Sequence, residues 1–243
     1  MCKGGPVPTD ASGVSGTRAA VVGDRGAPLC GEVVASLRRV GAEVVELAGT
    51  GGPGTHRGVD AGGVDLAERD AVLRWFDGAG RLDALVVVTA VDGGGPRPLA
   101  AMDDDEFARA WEHPVLATLW CLQGGFRAFG GHPGRVVVVL PTTAMAGSDG
   151  AAVAAAAAEA QRLLAKSAAR QWGPAGVTVN CVATGTAALG GRPLPGEGLG
   201  LARAALDLDL TAVGDLIVSL LGPGARALTG ATLCADGGLW MAP

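Results

Sequence analysis

The sequence predicts an α/β fold, a single doubly wound parallel sheet of about seven strands with helices on both faces. Three observations carry that expectation. Strand-like and helix-like segments alternate from start to finish, with no internal repeat and no linker that splits the chain. Two strand-like runs, Leu82–Thr89 (LDALVVVT) and Arg135–Leu140 (RVVVVL), are nearly continuous apolar stretches, which is how a strand buried on both faces of a parallel sheet reads. The connections are short, so parallel strands joined by right-handed crossovers are the simplest topology.

Taken in order, residues 1–17 read as a disordered tail rich in Gly, Pro and Ser, and a single structured domain is expected over 18–243. Arg18–Gly23 (RAAVVG) is a short strand, and Leu29–Val40 has helical spacing. Glu43–Leu47 reads as a second strand and Val64–Leu66 as a short third one, with a Gly-rich loop between them. Glu68–Asp77 is helical, with Leu73, Trp75 and Phe76 as core candidates. After the strand at Leu82–Thr89, the acids Asp103, Asp104 and Asp105 open a helix that reaches Phe129, the placement that a helix dipole favours. Beyond Arg135–Leu140 comes a long helix, Ala151–Trp172, whose first eight residues are alanine except for Val153. Val177–Val182, a helix at Leu206–Leu221 and a last strand at Ala231–Ala235 complete the chain.

Composition narrows the function classes. The chain has 243 residues, a net charge of −5 and no basic block, which argues against nucleic acid and against an anionic membrane surface. Mean hydropathy is +0.34, yet no uninterrupted apolar run reaches the roughly 18 residues of a membrane helix. The N-terminus lacks the apolar core of a signal peptide. Five cysteines are scattered without metal or redox spacing, as in a reduced cytoplasmic protein with buried thiols. Cys181 reads as a buried hydrophobe. His56, His113 and His132 do not pair with Cys or Asp at ligand spacing, so no metal site is expected. The three aspartates are read as a helix start rather than a cation site.

Two residue types are nearly missing. There is no tyrosine, and the only lysines are Lys3 and Lys166, the other basic residues being arginine. GC-rich coding would favour Arg and Ala over Lys and Tyr, but bias alone does not remove a residue whose chemistry is needed.

Several segments carry a family resemblance. Leu164–Gly185 (LAKSAARQWGPAGVTVNCVATG) resembles the helix and strand of short-chain dehydrogenase/reductases that end in "RVN-V-PG". Leu228–Met241 (LTGATLCADGGLWM) resembles their last strand, "TG--L-VDGG". Leu82–Ala90 sits where that family has "LD-LVNNAG", and Val64–Leu66 where it has the "DV" of the adenine pocket. The resemblance covers nearly the whole chain after residue 17 and implies a Rossmann-like fold and NAD(P)-dependent oxidoreduction.

The family's chemistry uses a tyrosine as proton donor, a lysine one helical turn later, a serine that polarises the carbonyl and an asparagine that holds a proton-relay water. By that resemblance the four positions fall on Ala154, Ala158, Pro141 and Pro114. Thr142 and Thr143 stand beside Pro141 and offer the nearest hydroxyls. Lys166 lies roughly 12 Å along the helix from Ala158, too far to replace the lysine. The family's glycine turn wraps a diphosphate because backbone N–H groups must approach it closely. Here the turn reads GDRGAPLCG, with Asp24, Pro28 and Cys30 at the glycine positions and Gly23 and Gly26 left as cofactor candidates, together with Asp65 and Ala90. Ala48 stands where an acid or base reads the ribose. NAD(P) is therefore implied by the resemblance and opposed by these residues, and the cofactor stays open.

Three functions follow as expectations. One is a non-catalytic partner subunit, a homodimer or a heteromer with a related active reductase, joined through the helices at 106–129 and 151–172. Another is an atypical ketoreductase whose proton comes from water, a threonine or the substrate. The last is a non-redox cyclase or dehydratase with a small-molecule ligand in a remodelled cleft. Ser148 and Asp149 complete the polar cluster over that cleft, and Gly185–Gly200 corresponds to the family's substrate lid.

Overall fold

A computed structural model describes residues 12–24, 26–49, 63–88, 97–147, 150–191 and 206–240. Among them, six strands form one parallel sheet: β1 (Arg18–Asp24), β2 (Glu43–Gly49), β3 (Ala84–Val88), β4 (Arg135–Pro141), β5 (Thr178–Thr184) and β6 (Thr232–Cys234). Their order is β2-β1-β3-β4-β5-β6, so the chain reverses its direction of winding between β1 and β3.

Alternation along the strands sends successive side chains to opposite layers. Val21, Val86, Val137, Val139 and Val182 face α1 (Pro28–Arg39) and α6 (Leu210–Leu221), where Leu29, Val33, Leu37 and Ile217 meet them. Val22, Leu85, Val87, Val136 and Val138 face α2 (Arg69–Ala79), α3 (Asp104–Ala128) and α5 (Ala152–Trp172), packing on Phe76, Cys121, Leu122, Ala165 and Ala169. A short helix, α4 (Thr143–Ala146), leaves the end of β4. Each such valine stabilises the fold by roughly 1.5–3 kcal/mol when fully buried, which explains why the two apolar runs read so plainly as central strands.

Two expectations are corrected. Val64–Leu66 is not a third strand: only Val64 bridges β2, opposite Gly49. The Asp65 carboxylate accepts the Ala67 N–H at 2.8 Å and the Asp65 carbonyl accepts the Glu68 N–H at 3.0 Å, so the chain turns into α2 instead of extending. The tail is also shorter than expected. Val14 is only 1% exposed and joins the α1/α6 core, Thr17 Oγ1 donates to the Val14 carbonyl at 2.7 Å, and the Gly16 N–H donates to the Gly41 carbonyl. Residues 12–17 thus belong to the domain, while 1–11 lie outside the described residues. Smaller shifts have local causes: α6 begins at Leu210 rather than Leu206 because Asp209 caps it, accepting the Thr211 N–H at 2.9 Å.

The close fit of α3 depends on a glycine pair. A Cβ at Gly124 would run into the Phe76 ring of α2, and one at Gly125 would stand 2.5 Å from Leu85 of β3. Pro114 lies inside the same helix, where it removes one backbone N–H and frees the carbonyl a turn earlier.

Candidate functional site

In an open α/β sheet ligands sit outside the carboxyl ends of the strands, where the winding reverses. Here that edge is formed by the turn after β1 and by the ends of β3, β4 and β5.

At the end of β4, Pro141 is buried opposite Thr184 of β5, and the Thr142 N–H donates to the Thr184 carbonyl at 2.8 Å. Thr142 and Thr143 are buried at the start of α4 and Thr184 is fully buried at the end of β5. The Oγ1 atoms of all three are enclosed without a hydrogen-bond partner among the described residues. Buried polar groups are normally bonded, so three enclosed hydroxyls without a partner set this end of the sheet apart. Thr184 was not among the sequence candidates, because a threonine ending an apolar strand reads as one more β-branched residue.

On α5, Ala158 is buried and Ala154 half-buried. Lys166 stands two turns further on, half-buried, and the nearest charges on the helix are Glu159 and Arg162, joined by a hydrogen bond of 2.8 Å. Pro114 is half-buried within α3, and its neighbour His113 has an enclosed, unpartnered Nε2. Ala90, His56, Ser148 and Asp149 lie outside the described residues.

The turn after β1 is closed by its own atoms. Asp24 Oδ1 accepts the Gly26 N–H at 2.8 Å, the Asp24 carbonyl accepts the Ala27 N–H at 3.0 Å, and Pro28, the first residue of α1, has no N–H. Gly23 lies tight against β3: a Cβ there would stand 3.0 Å from the Val88 carbonyl oxygen. Asp65 is exposed and engaged in its own turn.

Three of the described thiols are poor nucleophiles. Burial pushes the Cys181 and Cys121 thiols up to about 12 and the Cys30 thiol up to about 11, so none is a thiolate near neutrality. Among the described residues no three His, Cys, Asp or Glu side chains gather as a metal site, and no helix is long and apolar enough to cross a membrane. Asn180 ties the edge together, donating to the Leu228 carbonyl at 2.8 Å and accepting the Ala231 N–H at 3.2 Å.

Residues 33–240 match a family model described as Enoyl-(Acyl carrier protein) reductase. The chain belongs to the short-chain dehydrogenase/reductase family. Solved structures agree. A double-substituted Serratia marcescens short-chain dehydrogenase/reductase is 26% identical, with 93% of this chain and 99% of that one covered and a TM-score of 0.74. A short-chain type dehydrogenase/reductase of Mycobacterium ulcerans is 20% identical over 93% of this chain and 90% of its own, with a TM-score of 0.76. A dehydrogenase/reductase of Sinorhizobium meliloti is 21% identical over 95% and 98%, with a TM-score of 0.74. No curated protein sequence gives a match.

Short-chain dehydrogenase/reductases take a dinucleotide at the first βα turn. The residues of this member fit its diphosphate poorly. The Gly26 N–H already serves the Asp24 carboxylate, that carboxylate adds a like charge, and Pro28 offers no donor.

Proposed function

We propose that this short-chain dehydrogenase/reductase is a non-catalytic subunit that associates with an active ketoreductase of a bacterial biosynthetic pathway. One observation carries the reading: the chain contains no tyrosine, so the family's proton donor has no counterpart anywhere in it. The corresponding helix α5 holds Ala154 and Ala158 at the tyrosine and lysine positions, and no other residue of that helix brings a phenol or an amine there. A methyl group neither moves a proton nor holds a ribose.

The outer surfaces of α3 and α5 support the partner role. Phe107 is 42% exposed and Leu116 37% on α3, and Leu163 is 55% exposed on α5. Large apolar side chains at two packed helices suit association with a related subunit, in a homodimer or a heteromer. Co-expression with a related reductase tests the reading. A complex whose reductase activity depends on the partner's tyrosine is expected. Ketone-dependent NADPH oxidation by the purified chain alone contradicts it.

A second reading rests on the unpartnered hydroxyls of Thr142, Thr143 and Thr184. They suit a neutral oxygen-bearing ligand in a cleft whose catalytic side chains have been replaced by alanine, as in a cyclase or dehydratase. Thr142→Ala and Thr143→Ala variants with undiminished turnover or ligand binding would exclude it.

A further inference from the structure

We propose that the chain fills its own dinucleotide crevice, so that this subunit keeps the fold closed at the first βα turn without a diphosphate. After β5 the backbone forms a short 3-10 turn, Thr186–Leu189, ending at Gly190 with φ +79°. That turn lies on the start of α1. A methyl group at Gly190 would stand 3.0 Å from the Gly26 carbonyl oxygen and 3.4 Å from the Ala27 Cα. Ala188 and Leu189 are buried in the same cluster as Ala27, Leu29, Val213 and Ile217, so the contact is part of the core. The turn is held from within as well, the Gly191 N–H donating to the Thr186 carbonyl at 3.0 Å and the Gly190 N–H to the Ala187 carbonyl at 3.2 Å.

Distance decides the matter. A phosphate held between two stretches of chain needs a hydrogen bond of about 3 Å on each side, which alone separates the flanking atoms by about 6 Å before its own width is added. Here a single methyl group at Gly190 would already crowd the Gly26 carbonyl oxygen and the Ala27 Cα, which leaves no such width. Glycine at position 190 permits that approach, because a side chain would meet the Gly26 carbonyl and the positive φ would strain it. The crevice is closed chemically too, since the Asp24 carboxylate holds the N–H of Gly26 that would otherwise face an anion. At the end of the neighbouring strand β2, Gly49 is covered by Leu66 from the turn before α2, with Cδ1 2.9 Å from where a Cβ would stand. An apolar side chain thus packs beside the region where a ribose is read in this fold.

Calorimetric titration of the purified chain with NADH and with NADPH to millimolar concentration tests the proposal, run on the native protein and on Asp24→Gly. No saturable binding to either protein is expected, since removing the carboxylate leaves the turn at Gly190 in place. Micromolar binding by the native chain overturns the proposal, and binding by Asp24→Gly alone overturns the part assigned to Gly190. Gly190→Ala gives an independent reading: a lowered melting temperature is expected, and an unchanged one would show that the two backbones are not packed together. Cofactor binding without ketone turnover would overturn this inference and leave the non-catalytic reading standing, whereas turnover would overturn both.

Discussion

At the residue scale, the molecule carries unsatisfied polar groups where family chemistry would be expected. Leaving a buried hydroxyl unpaired costs about 1–3 kcal/mol. Thr184→Val keeps the shape and removes the hydroxyl, so it is expected to raise stability by about 1 kcal/mol in urea denaturation. A loss of that size would show that the hydroxyl is bonded. Asn180 is the opposite case. Its side chain serves both the Leu228 carbonyl and the Ala231 N–H, and Asn180→Ala should destabilise by about 2 kcal/mol in the same assay, because both partners are left unpaired. The thiols add a pH dependence. Burial raises Cys121 and Cys181 from 9.0 to about 12 in the folded chain. Above pH 9 the unfolded state releases protons that the folded state retains, so stability is fully present below 9 and falls as pH rises toward 12. Melting temperatures measured across that window should decline, and less steeply in Cys121→Ala. Labelling of native protein at neutral pH should spare both thiols.

At the element scale, the runs ALVVV and VVVVL were legible as central strands because a strand covered on both faces needs apolar residues at every position. Val64–Leu66 was not, because three residues carry too little pattern to outweigh the turn that Asp65 makes with Ala67. The start of the domain is hard to read for a similar reason: Val14, 1% exposed, is a single apolar anchor amid Gly and Ser. The fit of α3 was invisible in the sequence, since it depends on how near another layer comes. Alanine is favoured over glycine within a helix by about 1 kcal/mol, but overpacking a filled core costs about 1–3 kcal/mol. With the Phe76 ring already against Gly124, the second effect wins. Gly124→Ala should lower the denaturation midpoint; a higher midpoint would mean that α3 can move away from α2.

At the scale of the whole molecule, the sequence made the fold and the alanine-bearing helix readable, because both are local patterns compared with a family frame. It did not reveal Thr184 or the contact of Gly190 with the first βα turn, since each brings together residues distant in the chain. Together these features describe a short-chain dehydrogenase/reductase in which the parallel sheet and its flanking helices are kept in a chain that has no tyrosine. Under the proposed function, the exposed apolar side chains of α3 and α5 are the surface through which the chain would associate with a related subunit. Sedimentation of the purified chain, alone and mixed with a related active reductase, tests this most directly. A dimer or larger assembly is predicted in at least one case, dispersed by Leu163→Arg. A monomer in both would contradict it.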